Sequence, residues 1–133
     1  MTIRESGENY LEAILVLDTK TGFVRSIDVA NYLGVTKPSV SRAMSILKNG
    51  GYIEFAEDGQ LSLTDVGREI AEKMYERHRI FTDLLVSLGV AKDVAMEDAC
   101  RIEHVLSEES FSKLRGLAER LATEESDGFV DTD

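Results

Sequence analysis

Apolar residues recur along this chain at helical spacing in six segments, interrupted once by a pair of short strand-like runs. Tyr10, Ala13, Ile14 and Leu17 mark a first helix over about residues 5–19, with Glu5, Glu8 and Glu12 on its other side and Thr21-Gly22 ending it. Ser26 stands where an N-cap belongs, ahead of Ile27, Val29, Ala30 and Leu33, and Gly34 closes that short helix. A third helix opens at Thr36 with Pro38 in its first turn, where the N–H groups have no intrahelical acceptor to lose. Val40, Met44 and Leu47 form its apolar stripe, and Gly50-Gly51 stops it.

The two strand-like pieces, Tyr52–Phe55 and Gln60–Leu63, are joined by the tight-turn sequence Glu57-Asp58-Gly59. Thr64 then caps a long helix of about residues 65–87, with Ile70, Met74, His78, Phe81, Leu85 and Leu88 on one stripe and Gly89 at its end. A fifth helix is expected over about residues 93–106. A sixth follows from Ser107, with Phe111, Leu114, Leu117 and Leu121 as its apolar face. From Glu124 onward the chain is acidic and is expected to fray.

Three helices followed by a hairpin predict a winged helix-turn-helix, built from the short helix 26–33, the Gly34-Val35 turn and the helix 36–48. In that geometry the second helix of the motif enters the major groove, and its N-terminal residues meet base edges and phosphates. Here they are Thr36, Lys37, Pro38, Ser39, Ser41 and Arg42, and Ser26 at the start of the preceding helix completes the candidate DNA-contacting set. Hydroxyls, one Lys and one Arg suit the task, because phosphates need donors and guanine offers paired acceptors to Arg. Ser39 and Ser41 are weak helix formers, so something other than helicity favours them there. The wing turn is acidic and a poor grip for phosphate. A three-helix core with capping serines and no nucleic-acid role is the blander reading of the same pattern.

Charge qualifies this picture without removing it. The formal net charge of the 133 residues is −10. Yet residues 22–51 carry Arg25, Lys37, Arg42 and Lys48 against Asp28 alone, four cations to one acid. Residues 108–133 hold eight acids against Lys113, Arg115 and Arg120. A phosphate backbone feels the field within a Debye length, about 8 Å, more than the global sum. With 43% hydrophobic and 30% charged residues the chain reads as globular, of a size for one domain or a small domain with an attached oligomerisation segment. It shows no apolar run of bilayer length and no charged-then-apolar leader, which predicts a cytosolic (cytoplasmic) protein with no membrane partner.

The single cysteine, Cys100, excludes an intrachain disulfide and leaves a buried thiol or a metal ligand. Cys100, Glu103 and His104 stand at i, i+3 and i+4 of the fifth helix, hence on one face. A sulfur, a carboxylate and an imidazole together suit a divalent first-row metal and would be odd for magnesium or calcium. Three ligands from one helix rarely complete a shell. His78 on the inner stripe of the long helix, and Glu12 on the first helix with Asn9 one turn before it, are the further candidates. Each also has an ordinary explanation: a hydrogen-bonded core histidine, a thiol buried for packing, a solvated acidic face.

These segments resemble the iron- and manganese-dependent repressors related to the diphtheria toxin repressor and the manganese transport regulator. The likeness covers about residues 6–118 and runs through Glu8-Asn9-Tyr10-Leu11-Glu12, the stretch from Val35 to Ser41, Leu63-Thr64, Arg77-His78-Arg79, and the stretch from Ala99 to Ser107. It implies a mainly α chain with an N-terminal winged helix-turn-helix over residues 1–64 and a helical dimerisation and metal-binding domain over 65–123, while the acidic composition of residues 124–133 predicts a flexible tail. It implies a homodimer that, loaded with Fe2+ or Mn2+ (Co2+, Ni2+ or Zn2+ as substitutes), binds a palindromic operator in double-stranded DNA and represses metal-uptake genes. By position Cys100, Glu103, His104, His78 and Glu12 match family ligands, Glu12 in the manganese manner and Cys100 in the iron manner. Asn9 departs from the pattern, standing where a methionine or aspartate ligand is expected. Thr82 and Met96 replace ligands of the iron branch's second site, which is then lost or rebuilt around Glu12 and His78.

Metal binding is expected to tie the first helix to the long and fifth helices and so set the spacing of the two DNA-reading heads. The alternative is a winged-helix regulator answering a non-metal small ligand, with the metal-type residues merely packing. A metalloenzyme is disfavoured because no Gly-rich phosphate loop, nucleophile elbow or HExxH pattern is present. A helical module serving only dimerisation leaves the chemistry of residues 36–42 without a purpose.

Overall fold

The computed structural model describes residues 5–131, with side chains from residue 6 to residue 124. Its elements are α1 (Glu5–Thr21), α2 (Ser26–Leu33), α3 (Lys37–Asn49), β1 (Ile53–Phe55), β2 (Leu61–Leu63), α4 (Asp65–Ser87), α5 (Lys92–Ile102) and α6 (Glu108–Asp131). Internal packing groups them into two units, residues 1–75 and 76–133, and the division falls inside α4. Mainly helical architecture with one small hairpin is what the periodicity predicts.

In the first unit, Leu11 and Ile14 of α1, Val29 of α2, Met44 and Leu47 of α3, and Ile53 and Leu61 of the hairpin share one buried core. The hairpin is antiparallel, pairing Ile53 with Leu63 and Phe55 with Leu61. Its second strand is also tied to the α1–α2 connection, where the Leu61 N–H donates to the Val24 carbonyl at 2.7 Å. Thr64 joins hairpin to helix twice: its hydroxyl donates to the Gly51 carbonyl at 2.7 Å and accepts the Gly67 N–H at 3.2 Å, capping α4. Gly67 is required by close approach, because a Cβ there would lie 2.0 Å from the Tyr52 carbonyl oxygen. That contact, the buried Ala71 and the 3.8 Å pair of Arg68 with Asp18 place the start of α4 with the winged helix. The sequence-based boundary at residue 64 therefore precedes the division in packing by eleven residues.

The second unit has a smaller core, Phe81, Ala99 and Phe111, with Ile80, Ile102, Leu106 and Leu114 against it. The Phe81 and Phe111 rings sit 5.8 Å apart at 57°, a tilted arrangement that aromatic quadrupoles favour. Burying a side chain such as Phe111 contributes roughly 1.5–3 kcal/mol. Ser107 caps α6, accepting the Ser110 N–H at 3.1 Å.

Three local expectations change. Ser26 is the first helical residue of α2 and not its cap; Arg25 holds the cap position, and its N–H donates to the Asp28 carboxylate at 2.9 Å. Glu12 is not a solvated face but 8% exposed, with Leu11, Ala13, Ile14 and Leu15 buried on either side of it. The fifth helix ends at Ile102, and Glu103 is its C-cap. Beyond these, α6 is helical through Asp131, across the acidic segment from Glu124. Residues 132 and 133 lie outside the described residues.

Candidate metal centre and nucleic-acid interface

The turn between α2 and α3 forms because Gly34 takes a left-handed conformation, φ +68°, that other residues rarely adopt. With it in place the N–H groups of Gly34 and Val35 both return to the Ala30 carbonyl, closing α2. Thr36 then caps α3: its Oγ1 accepts the Ser39 N–H at 3.2 Å and donates to Ser39 Oγ at 2.9 Å. Thr36 and Ser39 are thus engaged in capping, which supplies part of the reason for a serine at 39. Val40, Met44 and Leu47 face the core, and Lys37, Pro38, Ser39, Ser41 and Arg42 are exposed. No acidic residue occupies the first turn of α3, and Lys48 lies in its last. An exposed helix end carrying hydroxyls and cations can meet phosphates and base edges. Ser26 is half-buried and lines a shallow depression with Ile27, Lys37, Ser41 and Phe55.

The second constellation lies at the end of α5. Glu103 is fully buried, and its carboxylate is bracketed by two imidazoles: Oε2 lies 3.0 Å from His78 Nδ1, and Oε1 lies 3.4 Å from His104 Nε2. The His104 side chain is 5% exposed and that of His78 23%. Cys100 stands one turn before His104, half-buried, and one donor atom each of Cys100, Glu103 and His104 lie within 4.8 Å of one another. Donors bound 2.0–2.3 Å from a common ion are about 3–4 Å apart, so this set is close to a ligand shell before any metal draws it in. Thiol, carboxylate and two imidazoles are a donor set that suits first-row transition ions.

Within the second unit the structure therefore brings Cys100, Glu103, His104 and His78 together. Glu12 and Asn9 belong to α1 in the first unit, the former buried and the latter half-buried. Thr82 is buried and Met96 exposed.

One residue beside the site was not singled out by pattern. Arg77, 3% exposed, donates through Nη1 to the carbonyls of Glu103 at 3.0 Å and Leu106 at 2.7 Å, and through Nη2 to the Glu108 carboxylate at 2.9 Å. Its signal in the sequence is its place beside His78, in a segment that carries the family resemblance. Its partners stand 26 to 31 residues further on, beyond the reach of periodicity.

Two family descriptions match this chain: an iron dependent repressor N-terminal DNA binding domain over residues 2–61, and an iron dependent repressor metal binding and dimerisation domain over residues 64–127. Among curated relatives, the transcriptional regulator MntR of Escherichia coli is 36% identical over 112 residues, 84% of this chain and 72% of its own length. The HTH-type transcriptional regulator MntR of Lysinibacillus sphaericus is 29% identical over 114 residues, 86% of this chain and 82% of its own. Among solved structures, a manganese-dependent transcriptional repressor in complex with manganese superposes with a TM-score of 0.78 at 26% identity, over 85% of this chain and 52% of the other. The T. acidophilum IdeR gives 0.73 at 27% identity, over 92% and 55%. The chain spans about half the length of these two solved chains.

Proposed function

This chain belongs to the iron-dependent repressor family, and on that premise we propose that it is a cytosolic, non-catalytic transcriptional regulator. In this reading it binds a palindromic operator as a homodimer when loaded with Mn2+ or Fe2+, and controls metal-uptake genes. The observation that carries the metal half of the reading is the Glu103 carboxylate, shielded from water and flanked by His78 and His104, with the Cys100 thiol beside it. The proposed ligands are Cys100, Glu103, His104 and His78. Glu12 joins the set on the strength of family resemblance; Asn9 departs from the family pattern and offers only an amide oxygen at a position where a ligand is expected.

When bound, a divalent cation supplies charge that offsets the Glu103 carboxylate and draws the donors to one centre. Cys100 takes its place from the last turn of α5, Glu103 from its C-cap and His104 from the turn that follows. His78 comes from α4, so the set joins two helices of the second unit. Ligands carried by both units would let metal loading limit the freedom of the DNA-reading heads and raise the binding-competent fraction. In each head, Lys37, Ser39, Ser41 and Arg42 would meet the major groove, with Thr36, Pro38 and Ser26 shaping the approach. The two heads of a dimer would then address half-sites about 34–36 Å apart.

The test is anaerobic titration with each candidate ion, followed by binding to a duplex selected from a random pool by the metal-loaded protein. Tight binding with Mn2+ or Fe2+ and weak binding with chelator is the expected outcome. Equal affinity in both conditions would sink the metal reading.

A further inference from the structure

The backbone that aims Glu103 and His104 is held by α5 on its N–H side only: the Glu103 N–H donates to the Ala99 carbonyl at 3.0 Å, while the Glu103 carbonyl lies past the helix's own donors. Carbonyls past the last turn of a helix have no intrahelical donors. At the α5–α6 connection those of Glu103 and Leu106 are both satisfied by one side chain, the guanidinium of Arg77 on α4, at 3.0 and 2.7 Å. The same group reaches Glu108, the first residue of α6, at 2.9 Å, and its carbon lies 4.8 Å from the centre of the Phe111 ring. Arg115 stands near the same ring, 4.9 Å from its centre, and pairs with Glu76 at 3.1 Å.

A guanidinium is planar and carries its five donors in a fixed fork. Two acceptors on one nitrogen and a third on the other fix its plane, and the stiff plane in turn fixes where those acceptors sit. The backbone atom it grips belongs to Glu103, whose side chain is the buried carboxylate of the site. Arg77 also precedes His78 in α4, so one dipeptide supplies both a proposed ligand and the clamp on two others. Ligand sets lose affinity when the groups that orient them are removed, even though those groups touch no metal.

We propose that Arg77 is a positioning residue for the metal site: its fork holds the turn of residues 103–106 in the shape that aims Glu103 and His104, and anchors that turn to the start of α6 through Glu108. This rests on the ligand set proposed above, and the experiment separates the two. Cobalt(II) is the probe, added anaerobically to the whole chain and read by its thiolate charge-transfer band and its d–d bands. A charge-transfer band in the parent protein that disappears in Cys100→Ser supports the ligand set; no such band overturns the set and the inference together.

With the band present, Arg77→Met is expected to bind cobalt about 10- to 100-fold more weakly, with displaced d–d bands. Arg77→Lys keeps a cation but loses the fork. It is expected to melt near the parent in the absence of metal while recovering only part of the cobalt affinity. Glu108→Gln, which loosens the guanidinium from outside, is expected to shift both readings in the same direction by less. Should Arg77→Met not fold, the other two variants decide. Parent affinity and parent d–d bands in both of them overturn the positioning role and leave Arg77 as a staple of the fold.

Discussion

The carboxylate of Glu103, with no exposure to solvent, lies 3.0 Å from Nδ1 of His78, a residue twenty-five positions earlier on another helix. Removing a carboxylate from water is costly unless charge or donors compensate, so a buried one flanked by imidazoles marks a place where a cation is welcome. Glu103→Gln keeps the shape and discards the charge. It is expected to weaken cobalt or manganese binding by about 100-fold or more, measured by equilibrium titration, with helix content unchanged by circular dichroism. Retained affinity would move the site elsewhere.

Among the proposed ligands, Cys100 is the one soft donor. Cys100→Ser is expected to lower zinc and cobalt affinity more than manganese affinity, because thiolate favours the softer ions. Competition titrations against a chromophoric chelator measure the difference. A uniform loss across the three ions would assign the thiol a packing role.

Glu12 sits in the first unit, and its proposed role differs from that of the α5 ligands. In Glu12→Gln the cobalt charge-transfer band from Cys100 is expected to persist, while metal no longer raises operator affinity. Anisotropy of a labelled duplex with and without metal measures this. An undiminished metal response would remove Glu12 from the switch.

At the reading head, Arg42→Ala is expected to cost about 1–3 kcal/mol of operator binding if Arg42 meets a base edge. Lys37→Ala is expected to weaken all sequences alike and to reduce the salt slope of binding by about one. Salt-dependent binding curves on cognate and scrambled duplexes distinguish the two behaviours. Identical profiles for both variants would contradict the division of labour.

Two stability predictions test the scaffold. Thr36→Ala removes the α3 cap and is expected to cost about 1 kcal/mol. Gly67→Ala drives a methyl group into the Tyr52 carbonyl and is expected to cost about 1–3 kcal/mol. Urea denaturation followed by circular dichroism reads both, and a neutral Gly67→Ala would show that the start of α4 can shift.

The helix-turn-helix was legible because its determinants are local: Gly34 for a left-handed turn, Thr36 to cap, and Pro38 where a missing N–H costs nothing. The grouping of Cys100, Glu103 and His104 was legible from spacing, which survives although Glu103 caps α5 and His104 follows it. Other features depend on distant partners or on competition between neighbours. Ser26 looks like a cap, but Arg25 occupies that position and Asp28 supplies the carboxylate that receives its N–H. Glu12 falls on the polar side of a stripe, and periodicity alone cannot tell that Glu12 itself is buried. Arg77 reads as one more helix cation, because its acceptors are backbone carbonyls that no pattern of side chains records.

The placement of Glu103 at the end of α5 also bears on how fast the site could exchange its contents. Its carboxylate is sealed and the His104 side chain nearly so, so an ion would enter or leave chiefly when the turn after Ile102 opens. Helix ends open at lower free energy than helix interiors, and here the Arg77 clamp opposes that opening. Metal release would then keep time with the parting of a few hydrogen bonds, among them Glu103 N–H to Ala99 and Val105 N–H to Ile102. Hydrogen exchange at those two amides should track the metal off-rate across the Arg77 variants; rates that vary independently would place the kinetic gate at another segment.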